Sequence, residues 1–345
     1  MNNSAILLIY TGGTIGMMED AASGTLMPFD FSHLMDYLPE LKRFNFAIDV
    51  VSFDDPIDSS DVDVVTWQKI AQIIEVNYDH FDGFVVLHGT DTMAFSASAL
   101  SFMLEGLTKP VIFTGAQLPI GKLRTDGKEN LITAIELAAA KRNGESIIQE
   151  VAIYFESRLY RGNRTHKYNT ENFDAFESAN FPALAEAGIH LSYSHENLYR
   201  SEVKTLAVKR DFDSRVAILK IFPGMREEMI APFFNNSELK GLIIETFGSG
   251  NVPTLPWLVS LLKSAVNRGL VILNISQCNK GFVEQGRYET SMSLREAGVI
   301  GGADMTIESA IIKMMFLLGQ SNQPEVVRER LMIPLRGELT SFSSF

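Results

Sequence analysis

Short apolar runs alternate with helical patterns along the first half of the chain. The runs are continuous in polarity, as is typical of strands buried on both faces of a sheet. We predict strands at Ala5–Tyr10, Ile48–Phe53, Phe84–Leu87, Val111–Thr114 and Val151–Phe155. Between them, apolar faces at helical spacing are formed by Trp67, Ile70, Ala71 and Ile74, by Met93, Ala97, Leu100 and Leu104, and by Leu131, Ile135 and Ala138. This alternation predicts a mainly parallel sheet with helices on both faces.

A second, smaller α/β unit follows in the last third of the chain. We predict strands at Val216–Phe222, Gly241–Glu245 and Gly269–Ile275, and helices at Pro253–Ala265 and Met305–Leu318, the last ending near Gly319. Segment 192–215 is polar and has no sustained period, so we interpret it as a linker. The predicted architecture is therefore α/β with two domains, residues 1–191 and residues 216–345.

Composition agrees with a two-domain globular protein. The chain has 345 residues, of which 46% are apolar and 21% charged, and this length exceeds what one hydrophobic core usually supports. The net charge of −12 argues against non-specific nucleic-acid binding, because a polyanion would be repelled over most of the surface.

The sequence also carries information on location. No basic region precedes the first apolar run, which leads directly into a glycine turn, so we interpret the run as a core strand and not as a signal peptide. No segment approaches the ~18 consecutive apolar residues of a membrane span. The single cysteine, Cys278, cannot form an internal disulfide. We therefore expect a cytoplasmic protein without membrane association.

The first candidate site is the loop Thr11–Gly16, which reads TGGTIG and follows the first strand. Ligands of open α/β sheets bind at the carboxyl ends of strands, where adjacent glycines allow close backbone approach. A simple glycine turn explains the pattern equally well, whereas the spacing fits neither a dinucleotide nor a phosphate loop. The functional interpretation is that Thr14 is a nucleophile beside free amides.

Three further polar segments follow predicted strands. His88–Thr92 reads HGTDT, where Thr90 and Asp91 could handle a proton or one residue could simply cap the next helix, and we expect His88 to be a core residue. Asp58–Asp61 suits the recognition of a zwitterionic amino acid, or alternatively caps a helix. Thr114–Pro119 closes the fourth strand.

A cation is needed beside such a carboxylate, and Arg161–Lys167 offers several. Composition alone favours a solvated loop for this segment, and spacing does not place it near the other loops. Metal chemistry is not indicated, since the six histidines form no metal-binding pair around a glutamate and one cysteine cannot build a zinc site. A serine nucleophile elbow is also missing.

Together the motifs TGGTIG, HGTDT, TGAQLP and RGNRTHK, in this order, resemble the bacterial-type L-asparaginases, most of all the cytoplasmic type I branch. The similarity covers nearly the whole chain. It implies a two-domain asparaginase-like fold and the cofactor-free hydrolysis of L-asparagine, with Thr14 as the nucleophile of an acyl-enzyme. By resemblance, Thr90, Asp91 and Lys167 relay protons and orient the nucleophile.

The resemblance implies further assignments. The substrate-binding residues correspond to Ser59, Ser60, Asp61, Thr90, Asp91 and Ala116. Members of the family form dimers or tetramers in which the second domain completes a neighbour's site, so Asn251 is expected to act in trans.

The sequence departs from the family pattern at two places. The segment Gly24–Pro28 contains no tyrosine, although many members activate the nucleophile with one from this loop. At the position where some cytoplasmic members bind regulatory asparagine with an arginine, this chain has Glu245, whose charge would oppose a carboxylate. We therefore expect weak or no activation by substrate.

Three alternatives stay open from sequence. A glutaminase-asparaginase would share the motifs, because sequence does not reveal one methylene of pocket depth. The ammonia-producing subunit of a tRNA amidotransferase usually has an additional amino-terminal domain, for which a first strand at Ala5 leaves no room. A non-catalytic amino-acid sensor could use the same fold, although it would not need three reactive side chains.

Overall fold

The computed structural model describes residues 4–19, 26–28, 38–44, 46–285 and 289–341. The chain divides into two compact units, Met1–Arg210 and Asp211–Phe345. Gly24 and Thr25, part of the loop that lacks a tyrosine, lie outside the described residues. Linker 192–215 stays a prediction; the segment includes a 3-10 turn at His195–Asn197 and a short strand at Ala207–Val208.

The first unit is built on an eight-stranded sheet. Its strands are β1 (Ala5–Gly12), β4 (Ala47–Ile57), β5 (Gly83–Leu87), β7 (Val111–Thr114), β10 (Val151–Phe155), β11 (Arg158–Arg161), β14 (Ala185–Ala187) and β15 (Leu191–Tyr193). Their order is β15-β14-β11-β10-β7-β5-β1-β4, with parallel pairing from β10 to β4 and antiparallel pairing from β15 to β10. The prediction of a mainly parallel sheet is confirmed, and β7 and β10 have the predicted bounds.

The described residues of the first unit also form four two-stranded sheets of short strands. They pair β2 (Met17–Glu19) with β3 (Leu26–Pro28), β6 (Leu104–Glu105) with β16 (Ala207–Val208), β8 (Lys141–Arg142) with β9 (Glu145–Ser146), and β12 (His166–Lys167) with β13 (Phe176–Glu177). They carry too few residues to show a hydrophobic period, so the sequence pattern did not predict them.

Central strands are buried on both faces, as predicted. Every residue of β5, β7 and β10 is buried, because helices cover the sheet on either side. The prediction is wrong for β4, where Asp49, Ser52 and Asp54 are exposed. This strand lies at the sheet edge and alternates between exposed and partly buried positions along most of its length.

Three helices of the first unit are α1 (Val64–Asn77), α2 (Met93–Met103) and α3 (Gly127–Ala139). The predicted faces of all three are buried. Apolar residues of α3 form one core with alternate residues of β1, β5, β7 and β10. α2 contacts β7 and β10 through residues outside that core and is buried around nearly its whole circumference.

The second unit has a four-stranded parallel sheet in the order β17 (Val216–Lys220), β18 (Gly241–Thr246), β19 (Val271–Ser276) and β20 (Ile300–Gly301). Its helices are α4 (Glu227–Asn235), α5 (Pro256–Asn267), α6 (Glu289–Glu296), α7 (Ile307–Gln320) and α8 (Pro324–Leu331). Helix α7 ends at Gln320, so the prediction that it ends near Gly319 is confirmed. A side chain at Gly319 would collide with the Asp211 carbonyl oxygen, since an added Cβ would lie 2.3 Å from it.

A buried ion pair anchors the carboxyl-terminal segment of the second unit to α7. Lys313 Nζ lies 2.6 Å from Glu338 Oε1, with both side chains fully buried, and donates to the Leu331 and Ile333 carbonyls. Two backbone amides, of Leu335 and Arg336, donate to Glu338. Burial alone would raise the pKa of the Glu338 carboxyl, but the Lys313 charge and these hydrogen bonds lower it.

Replacing Glu338 by Gln is expected to lower the free energy of unfolding by about 3–5 kcal/mol, because it leaves the Lys313 ammonium buried without its counter-ion. Urea unfolding at neutral pH measures this, with Glu228→Gln in the exposed Arg226–Glu228 pair as a control that changes little. The stabilisation is complete above the ordinary glutamate pKa and is lost as the pH falls through the lowered value of the folded state. Unchanged urea midpoints for Glu338→Gln would contradict this role.

Candidate active site

The loop after β1 passes close to two neighbouring loops. Gly12 and Gly13 have φ values of +134° and +85°, which glycine adopts without strain. A Cβ on Gly12 would lie 2.1 Å from the Ile57 carbonyl oxygen, and one on Gly13 would lie 2.5 Å from the Gly89 backbone. The paired glycines therefore bring the β1, β4 and β5 ends together, with half-buried Thr14 directly after this contact.

Lys167 joins the loop after β5. Its Nζ lies 2.7 Å from Thr90 Oγ1 and 2.7 Å from Asp91 Oδ1, although these residues are 77 and 76 positions apart in sequence. The Lys167 side chain is 12% exposed, whereas that of Asp91 is 64% exposed. The ammonium is thus held largely out of solvent, while the carboxylate keeps a face open to a ligand.

The segment that carries Lys167 is buried and not a solvated loop, so the interpretation from composition is wrong. Arg161 Nε lies 2.6 Å from Glu150 Oε2, with side chains 6% and 5% exposed, and the Arg161 guanidinium also donates to the Asn197 carbonyl. A buried 3-10 turn, Gly162–Arg164, follows. This pairing anchors the end of β11, and Lys167 follows six residues later as the second residue of β12.

His88 is a core residue, as predicted. Its Nδ1–H donates to the Gly89 carbonyl over 2.7 Å, and its Nε2 accepts from Ser96 Oγ over 2.9 Å. Ser96 Oγ in turn accepts from Trp67 Nε1 over 3.0 Å. Burial lowers the pKa of the His88 ring to about 4, against the Gly89 hydrogen bond that raises it. A neutral ring with both nitrogens occupied positions the loop and is not a base for the reaction.

The candidate substrate loop 58–61 packs against the β5 loop. Ser59 is buried, and a Cβ on Gly89 would lie 2.5 Å from Ser59 Oγ. Thr92 Oγ1 donates to the Ser59 carbonyl over 2.6 Å. Ser60 and Asp61 are exposed on the same 3-10 turn.

Neither helix-capping alternative explains these loops. Helix α1 is capped by Asp63, whose carboxylate accepts from the Thr66 amide, so Asp58 to Asp61 are not its cap. Asp58 instead caps the short turn Ser59–Asp61. Thr92 occupies the capping position of α2, but its hydroxyl is committed to loop 58–61 and makes no capping hydrogen bond.

The loop after β7 supplies a residue that sequence reasoning missed. Ala116, the predicted substrate-binding residue, is buried, and the next residue, Gln117, accepts a hydrogen bond from Thr90 Oγ1 over 3.2 Å. Asp126 accepts from the Gln117 and Leu118 amides and holds this loop in place. Its position in the sequence could have indicated this role, because Gln117 is a polar residue in one of the four polar loops that follow strands.

The other predicted residues lie in the second unit. Asn251 is half-buried and forms a β-bridge with Phe247, and Glu245 is the fifth residue of β18. Cys278 is exposed. Within the described parts of the chain, no three His, Cys, Asp or Glu residues group as a metal site would require. None of the helices described there has the length and apolarity to cross a membrane.

The loops of the first unit form an arrangement suited to acyl transfer. The Thr14 hydroxyl follows the glycine turn, which contacts the loop after β5. At that loop, the Lys167 ammonium contacts the Thr90 hydroxyl and the Asp91 carboxylate. The ammonium can stabilise negative charge on the second hydroxyl, and the exposed carboxylate can bind a substrate ammonium.

Comparison with known proteins agrees with this arrangement. The family model "Asparaginase, N-terminal" matches residues 5–199, and "Glutaminase/Asparaginase C-terminal domain" matches residues 215–331. L-asparaginase 1 of Escherichia coli (strain K12) is 41% identical over 341 residues, which is 99% of each chain. The 60 kDa lysophospholipase of Mus musculus is 40% identical over 360 residues, 97% of this chain and 62% of the mouse protein.

A solved structure gives the same result in three dimensions. L-asparaginase I from Vibrio cholerae O1 has a TM-score of 0.89 and 40% identity, and the match covers 98% of this chain and 99% of that one. These matches confirm the predicted two-domain asparaginase-like fold and the resemblance seen in the motifs. The chain therefore belongs to the asparaginase family.

Proposed function

We propose that the chain is an L-asparaginase that hydrolyses L-asparagine to L-aspartate and ammonia through an acyl-enzyme on Thr14. The observation that carries this proposal is the contact of Lys167 with Thr90 and Asp91, beside the loop that holds Thr14. Such a constellation activates a hydroxyl nucleophile and is of no use to a passive binding site. The similarity to L-asparaginase 1 supports the same substrate.

The reaction follows from the roles of these groups. Thr14 Oγ attacks the side-chain amide carbon, the C–N bond breaks, and the Thr14 proton passes to the leaving nitrogen, which departs as ammonia. Water then attacks the ester, giving aspartate and restoring the Thr14 hydroxyl. The Thr90 hydroxyl, polarised by the Lys167 ammonium, is placed to relay the proton in both steps. No metal or cofactor takes part.

Asparagine is a zwitterion, and the loops offer partners for both of its backbone charges. The exposed Asp91 carboxylate is suited to the substrate α-ammonium, and Asp61 adds negative charge nearby on loop 58–61. Ser59 and Ser60 provide hydroxyl groups for the α-carboxylate. Ala116 is buried in the loop after β7, and we propose that its small side chain leaves room for the substrate there.

Glutamine is the main alternative substrate, and a glutaminase-asparaginase, an amidotransferase subunit or a sensor would share this fold. Ammonia release from asparagine and glutamine, measured in parallel on the purified chain, separates these functions. We expect the larger kcat/KM with asparagine, and a hyperbolic rate curve because Glu245 opposes a regulatory carboxylate. Ammonia release from neither amide would contradict the proposal.

We place the protein in the cytoplasm on the basis of its single, exposed cysteine, and propose a homodimer or homotetramer in which Asn251 reaches a neighbour's site. The catalytic domain is residues 1–191, followed by linker 192–215 and domain 216–345. The small-molecule partner of the protein is L-asparagine, and we propose no nucleic-acid or membrane partner.

Substituting Thr14 by Ala is expected to reduce ammonia release by at least about 10³-fold, because the acyl-enzyme cannot form. Aspartate binding, measured by calorimetry, should persist, since the groups that hold the zwitterion are untouched. Thr205→Ala, a change at an exposed threonine in the same unit, is the matched control. Turnover retained by Thr14→Ala would eliminate Thr14 as the nucleophile.

For Thr90→Val we expect kcat to fall about 10²- to 10⁴-fold with KM changed only a few-fold, because the relay acts in the transition state. Thr90→Ser, which keeps the hydroxyl, should retain most of the rate. Steady-state kinetics with asparagine decides the matter, and an effect confined to KM would make Thr90 a binding residue.

A further inference from the structure

Gln117 is fixed at both ends by groups from different loops. Its backbone amide donates to Asp126 Oδ2 over 2.9 Å, which holds the main chain. Its side-chain Nε2 donates to the Asn172 carbonyl oxygen over 3.2 Å, and its Oε1 accepts from Thr90 Oγ1 over 3.2 Å. The side chain therefore bridges the segment after β12 and the loop after β5.

These contacts determine which way the Gln117 amide faces. The Asn172 carbonyl can only accept a hydrogen bond, so the amide nitrogen must face it. The opposite orientation would set two carbonyl oxygens against each other. Oε1 consequently points at the Thr90 hydroxyl, where it can only accept.

The direction of the hydrogen bonds at Thr90 follows from its two neighbours. The Lys167 ammonium has no lone pair, so it donates to Thr90 Oγ1 across 2.7 Å. The Thr90 hydrogen is then directed to Gln117 Oε1. A hydroxyl has one hydrogen and two lone pairs, and one lone pair of Thr90 remains for a reacting group.

We propose that Gln117 is a positioning residue that holds the Thr90 hydroxyl as a hydrogen-bond acceptor toward the reacting groups. The remaining Thr90 lone pair then receives a hydrogen bond from the Thr14 hydroxyl before attack, and from water before the acyl-enzyme is hydrolysed. As Thr90 Oγ1 takes that proton, its own hydrogen leaves Gln117 Oε1 and passes to the leaving nitrogen in the first step and to Thr14 Oγ1 in the second. Without Gln117, the Thr90 hydroxyl rotates and donates elsewhere, so the pre-set acceptor is lost. This inference rests on the proposed hydrolysis at Thr14.

The alternative is that Gln117 merely ties loops together. The two roles differ in their coupling to Thr90. A residue that acts through the Thr90 hydroxyl has no effect once that hydroxyl is absent, whereas a structural tie keeps its full effect.

The test uses Gln117→Met, which keeps the length of the side chain but removes its acceptor and donor. We expect kcat with asparagine to fall about 10- to 100-fold and KM to change less than about 3-fold. Gln117→Glu, which keeps an acceptor oxygen, should recover part of the rate. Gln149→Met is the matched control, because the Gln149 side-chain amide likewise donates to a backbone carbonyl, but in the segment between β9 and β10.

The decisive arm adds Gln117→Met to Thr90→Val. The double variant should match Thr90→Val in kcat within about twofold. Equal kcat for Gln117→Met and the unsubstituted chain, or a full further loss in the double variant, overturns the proposal for Gln117 and leaves the asparaginase function standing. An unsubstituted chain that releases no ammonia overturns both.

Discussion

The chemistry of this protein depends on one ammonium group held between a hydroxyl and a carboxylate. Lys167 lies 2.7 Å from both Thr90 Oγ1 and Asp91 Oδ1, and its side chain is largely shielded from water. Electrostatic effects strengthen as water is excluded, so this charge acts on Thr90 more strongly than an exposed lysine would. The same charge partly neutralises the Asp91 carboxylate, to which we propose that the substrate α-ammonium binds.

Much of the first unit serves to bring these groups together. The parallel strands β1, β5 and β7 end at one edge of the sheet, which places their polar loops side by side. Gly12 and Gly13 allow the β1 loop to touch its neighbours, and neutral His88 braces the β5 loop from within the core. The Arg161–Glu150 pair anchors the end of β11, six residues before Lys167.

Sequence pattern predicted the parts of the fold that repeat. β7 and β10 have the predicted bounds because an uninterrupted apolar run leaves little choice of where a buried strand begins and ends. The buried faces of the helices follow from the helical spacing of their apolar residues. Burial of β4 was misjudged, since an apolar run does not reveal which strand lies at an edge. The two-residue strand β12 has no period to detect, so the approach of Lys167 to Thr90 came from family resemblance alone.

The site was predictable in its residue types but not in its connections. Four polar loops at strand ends are visible in the sequence. Composition nevertheless predicts a solvated loop for Arg161–Lys167, because burial of an ion pair depends on tertiary contacts that composition does not show. Gln117 was overlooked for a similar reason. Its role appears only when Thr90, Lys167 and Asn172 surround it, and no spacing rule links those positions.

The most direct test is the rate of ammonia release from asparagine by Lys167→Met, which keeps the aliphatic stem and removes the charge. The variant should remain folded and lose at least about 10²-fold in kcat, because the Thr90 hydroxyl is no longer polarised. A folded Lys167→Met variant that turns over asparagine within a few-fold of the unsubstituted rate would contradict the central role of this ammonium group.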